Sequence, residues 1–191
     1  MRTFIALNIP QKERQRIHRA VEPLRDADLP VRWVEVDNLH ITLKFLGEIR
    51  PEKVGGVEAA VSKIAAGTAP FSLGLGDFGA FPTLRRPRVI WLGVVPTPEL
   101  RCLKQDLEWA LADCGFDAET RDFHPHLTLG RADPGDGAGA FRDFDALVAG
   151  LEYSSVVPLH SLDLMRSQLG RDGAHYTVVR SAKFERGADS V

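Results

Sequence analysis

Apolar residues recur along this chain at two spacings, and the switches between them predict its elements. Phe4-Ile5-Ala6-Leu7 is an apolar run of strand length that ends at Asn8. Pro10 then opens a helix in which Ile17, Ala20, Val21 and Leu24 share one face, with His18 off that face and expected in solvent. Pro30 restarts the chain, residues 31–36 read as a short strand centred on Trp33, and Asp37-Asn38 supplies turn chemistry. A strand over residues 39–47 follows. Pro51-Glu52 starts a second helix on Val54, Val57, Val61 and Ile64. Gly55-Gly56 weakens it by about 1 kcal/mol per glycine relative to alanine.

Residues 71–81 alternate apolar side chains with glycine, and residues 89–94 form a strongly apolar strand. Pro96 and Pro98 open a third helix with Leu100, Leu103, Leu107, Leu111 and Cys114 on one face, and Gly115 marks its end. Residues 123–131 are a further strand, 133–139 an expected mobile loop, and 141–151 a short helix. Two strands, over 156–167 and 175–184, close the chain around the turn Gly170-Arg171-Asp172-Gly173. Residues 186–191 are a polar tail. Helices thus alternate with runs of strands, which predicts an α+β fold with mostly antiparallel sheets. A doubly wound parallel sheet fits less well, since no glycine-rich phosphate loop is present.

One pattern occurs twice. His-x-Thr-Leu stands at His40 to Leu43 and again at His126 to Leu129, about half a chain apart. In a strand, residues two apart share a face. Each copy therefore presents an imidazole and a hydroxyl together, His40 with Thr42 and His126 with Thr128, while Ile41, Leu43, Leu127 and Leu129 point into a core. A single copy would read as ordinary buried strand. Two copies suggest two faces brought together across one cleft, with pseudo-symmetry between the halves.

Composition narrows the choice of chemistry. The chain has 191 residues, 44% hydrophobic and 26% charged, enough for one good-sized domain or two small lobes sharing a core. A formal net charge of −2 argues against a long basic groove for nucleic acid, though not against recognition of one or two phosphates. Cys102 and Cys114 are too few and too far apart for a disulfide scaffold or zinc knuckle. No apolar run approaches the ~20 residues of a membrane span, and the N-terminus lacks a signal peptide's apolar region. The expectation is a cytoplasmic protein without membrane contact.

Histidine exists in both protonation forms near neutrality, so two of them suit a reaction that removes a proton on one side of a centre and delivers one on the other. Each well-placed transfer is worth roughly 10²–10⁴-fold in rate. A phosphodiester is such a centre, because in-line displacement puts the attacking and leaving oxygens on opposite sides of phosphorus. Thr42 and Thr128 would hold the non-bridging oxygens.

Residues 39–48 and 123–131 resemble the motifs of the two-histidine phosphoesterase superfamily, specifically the RNA 2′,3′-cyclic phosphodiesterases, also called 2′-5′ RNA ligases. Phe4-Ile5-Ala6-Leu7 and residues 86–94 extend the resemblance, which spans about residues 1–185 in the family's order. It implies a bilobal fold, two mostly antiparallel sheets with flanking helices around a central cleft, forming one domain over residues 1–185. It implies metal-independent hydrolysis of a 2′,3′-cyclic phosphate to a 2′-phosphomonoester, without a cofactor, with His40 as proton donor and His126 as acceptor. Reversible 2′-5′ ligation would be the same chemistry with a ribose hydroxyl in place of water. The expected substrates are RNA 3′ ends or nucleotides bearing the cyclic phosphate, and the expected state is a monomer.

Other residues are candidates for binding substrate. Lys44 shares strand parity with His40 and Thr42, so it is placed at the cleft or as a solvated edge lysine; Gly130 takes its place in the second copy. Arg131 has the opposite parity and reaches the cleft only if the strand ends or bulges. Phe45 has core parity, with a family-like stacking role if the strand twists away. Arg85, Arg86 and Arg88 are either phosphate contacts or solvated, and Trp91 is placed in the core in preference to a base platform. His160 and His175 are expected to be structural. Two other functions stay open: a non-catalytic module that binds RNA ends or nucleotides, and a metal-dependent phosphohydrolase using His124-Pro125-His126 with His40.

Overall fold

A computed structural model describes residues 2–133, 138–170 and 173–185. Among these residues are nine strands: β1 (Arg2–Asn8), β2 (Val31–Trp33), β3 (His40–Glu48), β4 (Phe71–Thr83), β5 (Arg86–Val94), β6 (His126–Ala132), β7 (Ser154–Leu159), β8 (Ser161–Gly170) and β9 (Gly173–Lys183). Among the same residues five α-helices join them: α1 (Gln11–Ala20), α2 (Glu22–Arg25), α3 (Pro51–Ala66), α4 (Pro98–Asp113) and α5 (Phe144–Ala149). Proline stands at or just before the first residue of α1, α3 and α4, where its missing N–H costs nothing. Gly115 ends α4 with a φ of 78°.

All strand pairs are antiparallel, and the order is β7-β4-β5-β6-β3-β1-β8-β9 with β2 added on β6. The α+β class expected from the alternation of elements is therefore present. Its two lobes are mirrored in that order: β3-β1-β8-β9 run outward on one side and β6-β5-β4-β7 on the other. They meet at a single pair, Ile41 of β3 with Leu127 of β6, which makes one nine-stranded sheet of the described residues where two sheets were expected. Ile41, Leu127, Ile90, Leu92 and Ile5 are fully buried on one face, against the apolar stripes of α3 (Val57, Val61) and α4 (Leu100, Leu103, Leu107, Leu111).

The strand expected over 156–167 is in fact two. It breaks at His160, where β7 leaves its pairing with β4 and β8 begins its pairing with β1. Side-chain parity requires the break: Val157 and Leu159 face the core, and then so do Leu162 and Leu164. The chain thereby crosses from one lobe to the other. Pro158 is tolerated because β7 is an edge strand. At the other end of β8, Gly170 pairs with Gly173 as a hairpin turn requires, while Arg171 and Asp172 lie outside the described residues. The expected loop over 133–139 falls largely outside them too, as does the tail 186–191. Among the described residues no helix is long and apolar enough to cross a membrane.

Candidate active site

The register that pairs Ile41 with Leu127 sets His40 across from Thr128 and Thr42 across from His126. All four side chains are half-buried on the face opposite the core. Each imidazole is held by the backbone two residues before it. Nδ1 of His40 donates to the carbonyl of Asn38 at 2.6 Å, and Nδ1 of His126 donates to that of His124 at 2.7 Å. A carbonyl can only accept, so both rings carry their proton on Nδ1 and turn Nε2 outward. The Thr42 hydroxyl lies 3.1 Å from Nε2 of His40 and donates to it. His124, considered above as a metal ligand, thus serves through its carbonyl. Among the described residues no three His, Cys, Asp or Glu side chains gather as a metal site.

Aromatic rings pack around both histidines. Phe4 stacks on His40 at 4.9 Å, Tyr176 meets it edge-on at 5.1 Å, and Phe81 stands edge-on to His126 at 5.2 Å. Burial is the main reason that His40 is pushed down to a pKa of about 4; the Asn38 hydrogen bond works against this, and the charges of Arg14, Arg131 and His126 add to it. His126 is lowered for the same leading reason, with Arg131 and His124 contributing. Both imidazoles are therefore neutral in the free protein at pH 7.

The parity expected for Lys44 does not hold. Ile5 pairs with Lys44 but Ala6 pairs with Thr42, so Leu43 is an extra residue in β3. The bulge puts Leu43 and Lys44 together on the core side. Lys44 is 2% exposed and pairs with Glu108 of α4 and, at 2.8 Å, the carbonyl of Asp117. Phe45 instead emerges on the histidine face, 64% exposed and 5.9 Å from Phe4. β6 repeats the device. Ile90 pairs with Gly130 but Trp91 with Thr128, which makes Leu129 the extra residue and brings Arg131 onto the histidine face. Its charge acts on both imidazoles, and among the described residues it has no ion pair.

Each bulge leaves a carbonyl to be satisfied, and the two are capped differently. The Leu43 carbonyl accepts from Nζ of Lys104 at 2.8 Å, and that ammonium also meets Glu108 at 2.5 Å and Glu119 at 2.6 Å. Burial would raise Glu108, but the hydrogen bonds from Lys104 and Lys44 outweigh it and hold the carboxyl below its ordinary value. The Leu129 carbonyl accepts from the backbone N–H of Val34 at 2.8 Å. Gly130 leaves room for β2 there: a Cβ would lie 2.6 Å from Val31 and 2.8 Å from Trp33.

Arg88 is exposed where the β4–β5 ladder is irregular, as are Arg85 and Arg86. Trp91 is not in the core: it pairs with Thr128, so it lies on the histidine face and is half-buried. Sequence reasoning missed Asn8, Arg14 and Tyr176. With Asn38 and Met165 they line a cavity of about 140 Å³ beside His40. Arg14 is fixed there by Oδ1 of Asn8 at 2.8 Å and the carbonyl of Ile9 at 3.0 Å. No spacing in the sequence links these positions to His40. A larger cavity, about 310 Å³, lies between α4 and residues 119–125 and contains neither His40 nor His126.

Known proteins share this architecture. The profile of LigT-like phosphoesterases matches residues 7–91. An RNA 2′,3′-cyclic phosphodiesterase of Methanothermobacter thermautotrophicus is 32% identical over 177 residues, 93% of this chain and 95% of the relative. Another, of Thermotoga maritima, is 30% identical over 189 residues, 98% and 97% of the two chains. Among solved structures, a Thermus thermophilus protein superimposes with a TM-score of 0.80 at 26% identity, over 97% of this chain and 98% of that one. Escherichia coli LigT in complex with 3′-AMP does so with a TM-score of 0.76 at 28% identity and the same coverage.

Proposed function

We propose a reaction from one premise: the chain belongs to the LigT-like two-histidine phosphoesterases, the family of the RNA 2′,3′-cyclic phosphodiesterases, and is an enzyme. The reaction is hydrolysis of a 2′,3′-cyclic phosphate at an RNA 3′ end or on a nucleotide, giving a 2′-phosphomonoester. The observation that carries it is the square of His40, Thr42, His126 and Thr128 on one face, with both imidazoles turned alike by carbonyls two residues back.

Nε2 of His126 takes a proton from water as the water oxygen bonds to phosphorus. The bond from phosphorus to the 3′ oxygen breaks on the opposite side, and that oxygen takes the proton of Nε2 of His40. Thr42 and Thr128 donate to the non-bridging oxygens, and Arg131 adds positive charge beside them. The assignment of His40 as acid and His126 as base rests on the family resemblance. His40 is neutral in the free protein at pH 7, so its acid form is loaded when the phosphate anion arrives and raises its pKa. A ribose hydroxyl in the place of water would give 2′-5′ ligation. Residues 1–185 act as a single domain whose two lobes share the site. The enzyme works in the cytoplasm, as a monomer.

The test is an assay on nucleoside 2′,3′-cyclic phosphates in excess chelator, with the phosphate position of the product identified. Turnover to the 2′-phosphate is expected, and His40→Ala and His126→Ala each should lower it by roughly 10²–10⁴-fold. Activity that vanishes with chelator and returns with Zn²⁺ would replace this mechanism with a metal-dependent one. Phosphate-dependent binding without product would make the protein a binding module.

A further inference from the structure

The two copies of the motif hold their imidazoles by the same bond but by different means. In each, Nδ1 donates to the carbonyl two residues before the histidine, at Asn38 and at His124. The residue between is Leu39 in the first copy and Pro125 in the second. Proline restricts the residue before it to extended backbone, so the covalent chain itself directs the His124 carbonyl. The Pro125 carbonyl also accepts from the Val94 N–H at 3.2 Å, which ties this segment to the end of β5. Leucine imposes no such restriction. Asn38 instead closes a single turn of 3₁₀ helix, Val36–Asn38, whose own hydrogen bonds hold it weakly.

Support for that turn comes from Arg14 of α1. Its guanidinium reaches three acceptors: Nε donates to the Ile9 carbonyl at 3.0 Å, one terminal nitrogen to Oδ1 of Asn8 at 2.8 Å, and the other to the carbonyl of Asp37. The last of these belongs to the peptide next to the one that holds His40. Asn8 is the residue paired with His40 across the β1–β3 ladder. Its Nδ2 donates at 2.8 Å to Oδ2 of Asp163, a carboxylate only 2% exposed. The fork is therefore rooted in β1 and β8 and grips the turn at its tip. Gln11 adds a bond from Nε2 to Oδ1 of Asp37 at 2.6 Å, and Nδ2 of Asn38 donates to the Ala174 carbonyl of β9 at 3.1 Å. A rigid planar fork suits this bridge, whereas an ammonium is a point charge that cannot span it.

We infer that Arg14 is a positioning residue for His40: it fixes the turn whose Asn38 carbonyl holds Nδ1, and so keeps Nε2 aimed at the reacting phosphate. The inference rests on the reaction proposed above and adds to it a residue that serves one histidine of the pair. Arg14 does for His40 what Pro125 does for His126. Without the clamp the Asn38 carbonyl turns away from the ring, which is then free to carry its proton on Nε2 and to swing out of line. A displacement of about 1 Å at a reacting group costs on the order of 10²-fold in rate.

The experiment reads Arg14→Met and Arg14→Lys by nitrogen NMR of the histidine rings, which needs no turnover, and by kinetics on a nucleoside 2′,3′-cyclic phosphate. At a pH where both rings are neutral, the intact protein should show His40 and His126 protonated on Nδ1. In both variants His40 should become a mixture of tautomers while His126 stays as it was. The kcat should fall on the order of 10²-fold with KM little changed. Arg14→Lys keeps the cation and the aliphatic stem but loses the fork, so it carries the test if Arg14→Met does not fold. An unchanged His40 tautomer overturns the clamp, and so does an equal change at both rings, which would be general loosening. A raised KM at unchanged kcat would make Arg14 a substrate contact, and full activity of Arg14→Lys would leave the fork no part; either overturns it. A His40 tautomer that depends on Arg14 in a protein that hydrolyses no cyclic phosphate would overturn the reaction and support the clamp.

Discussion

His40 and His126 occupy equivalent places, yet their surroundings differ enough to matter. Phe4 and Tyr176 cover His40, and Arg14 adds a fixed charge behind it, so its neutral form is strongly favoured. In the unfolded chain it would titrate near 6.5. Between about pH 6.5 and pH 4 the unfolded chain therefore binds more protons, and stability must fall as pH is lowered through that window. The lowered His126 acts in the same direction. The loss assigned to His40 has a ceiling of about 3 kcal/mol. His40→Asn should flatten the dependence of chemical-denaturation midpoint on pH over this range; an equally steep profile in the variant would show that other groups cause it. The same residues show the limit of reading a site from spacing. His-x-Thr-Leu names its own four members, whereas Arg14, Tyr176 and Phe81 arrive from α1, β9 and β4, and only packing brings them to the rings.

At the scale of elements, the two bulges decide which side chains reach the cleft. A strand of uniform pleat would put Lys44 there and bury Phe45; one extra residue at Leu43 reverses both. The ion-pair network of Lys44, Glu108, Lys104 and the exposed Glu119 is accounted for by this bulge, because Lys104 satisfies the carbonyl that the bulge frees. Lys104→Met should cost about 3–5 kcal/mol in urea unfolding, the range for breaking a buried charge pair, since it strands the Leu43 carbonyl and leaves Glu108 with Lys44 as its one remaining cation. A cost under about 1 kcal/mol would mean that water replaces the ammonium. The second bulge depends on β2. Gly130→Ala would push Val31 and Trp33 away and loosen the Val34 cap, with an expected loss of about 1–3 kcal/mol. Hydrogen exchange at the Val34 amide should accelerate in that variant, and an unchanged rate would sink the account of the cap. The alternation of apolar residues announced the strands and the helices, but a bulge leaves no mark that a parity rule can read.

For the whole molecule, the interest lies in how two lobes become one unit. The chain starts in one lobe with β1, passes through β4 to β7 in the other, and returns at His160 to β8 and β9. Residues from both lobes belong to one apolar cluster, from Ile5, Ile41 and Leu164 to Leu75, Ile90 and Leu127. Thermal unfolding is therefore expected to be a single transition with equal calorimetric and van't Hoff enthalpies. Two resolved transitions would mean that the lobes fold independently and that the cleft is a joint between domains.

The sequence by itself determined the α+β class, most of the elements, and the four residues that repeat as His-x-Thr-Leu, because periodicity and motif are local properties of the chain. It also brought out the family resemblance that orders the two histidines as acid and base. The tertiary structure alone decided that residues 156–167 split between lobes, that Lys44 turns to the core while Phe45 and Arg131 turn to the cleft, and that Trp91 lies on the histidine face. Those outcomes depend on which strands pair and where the register slips. Pairing is set by contacts between residues distant in sequence, whose energies no local spacing records.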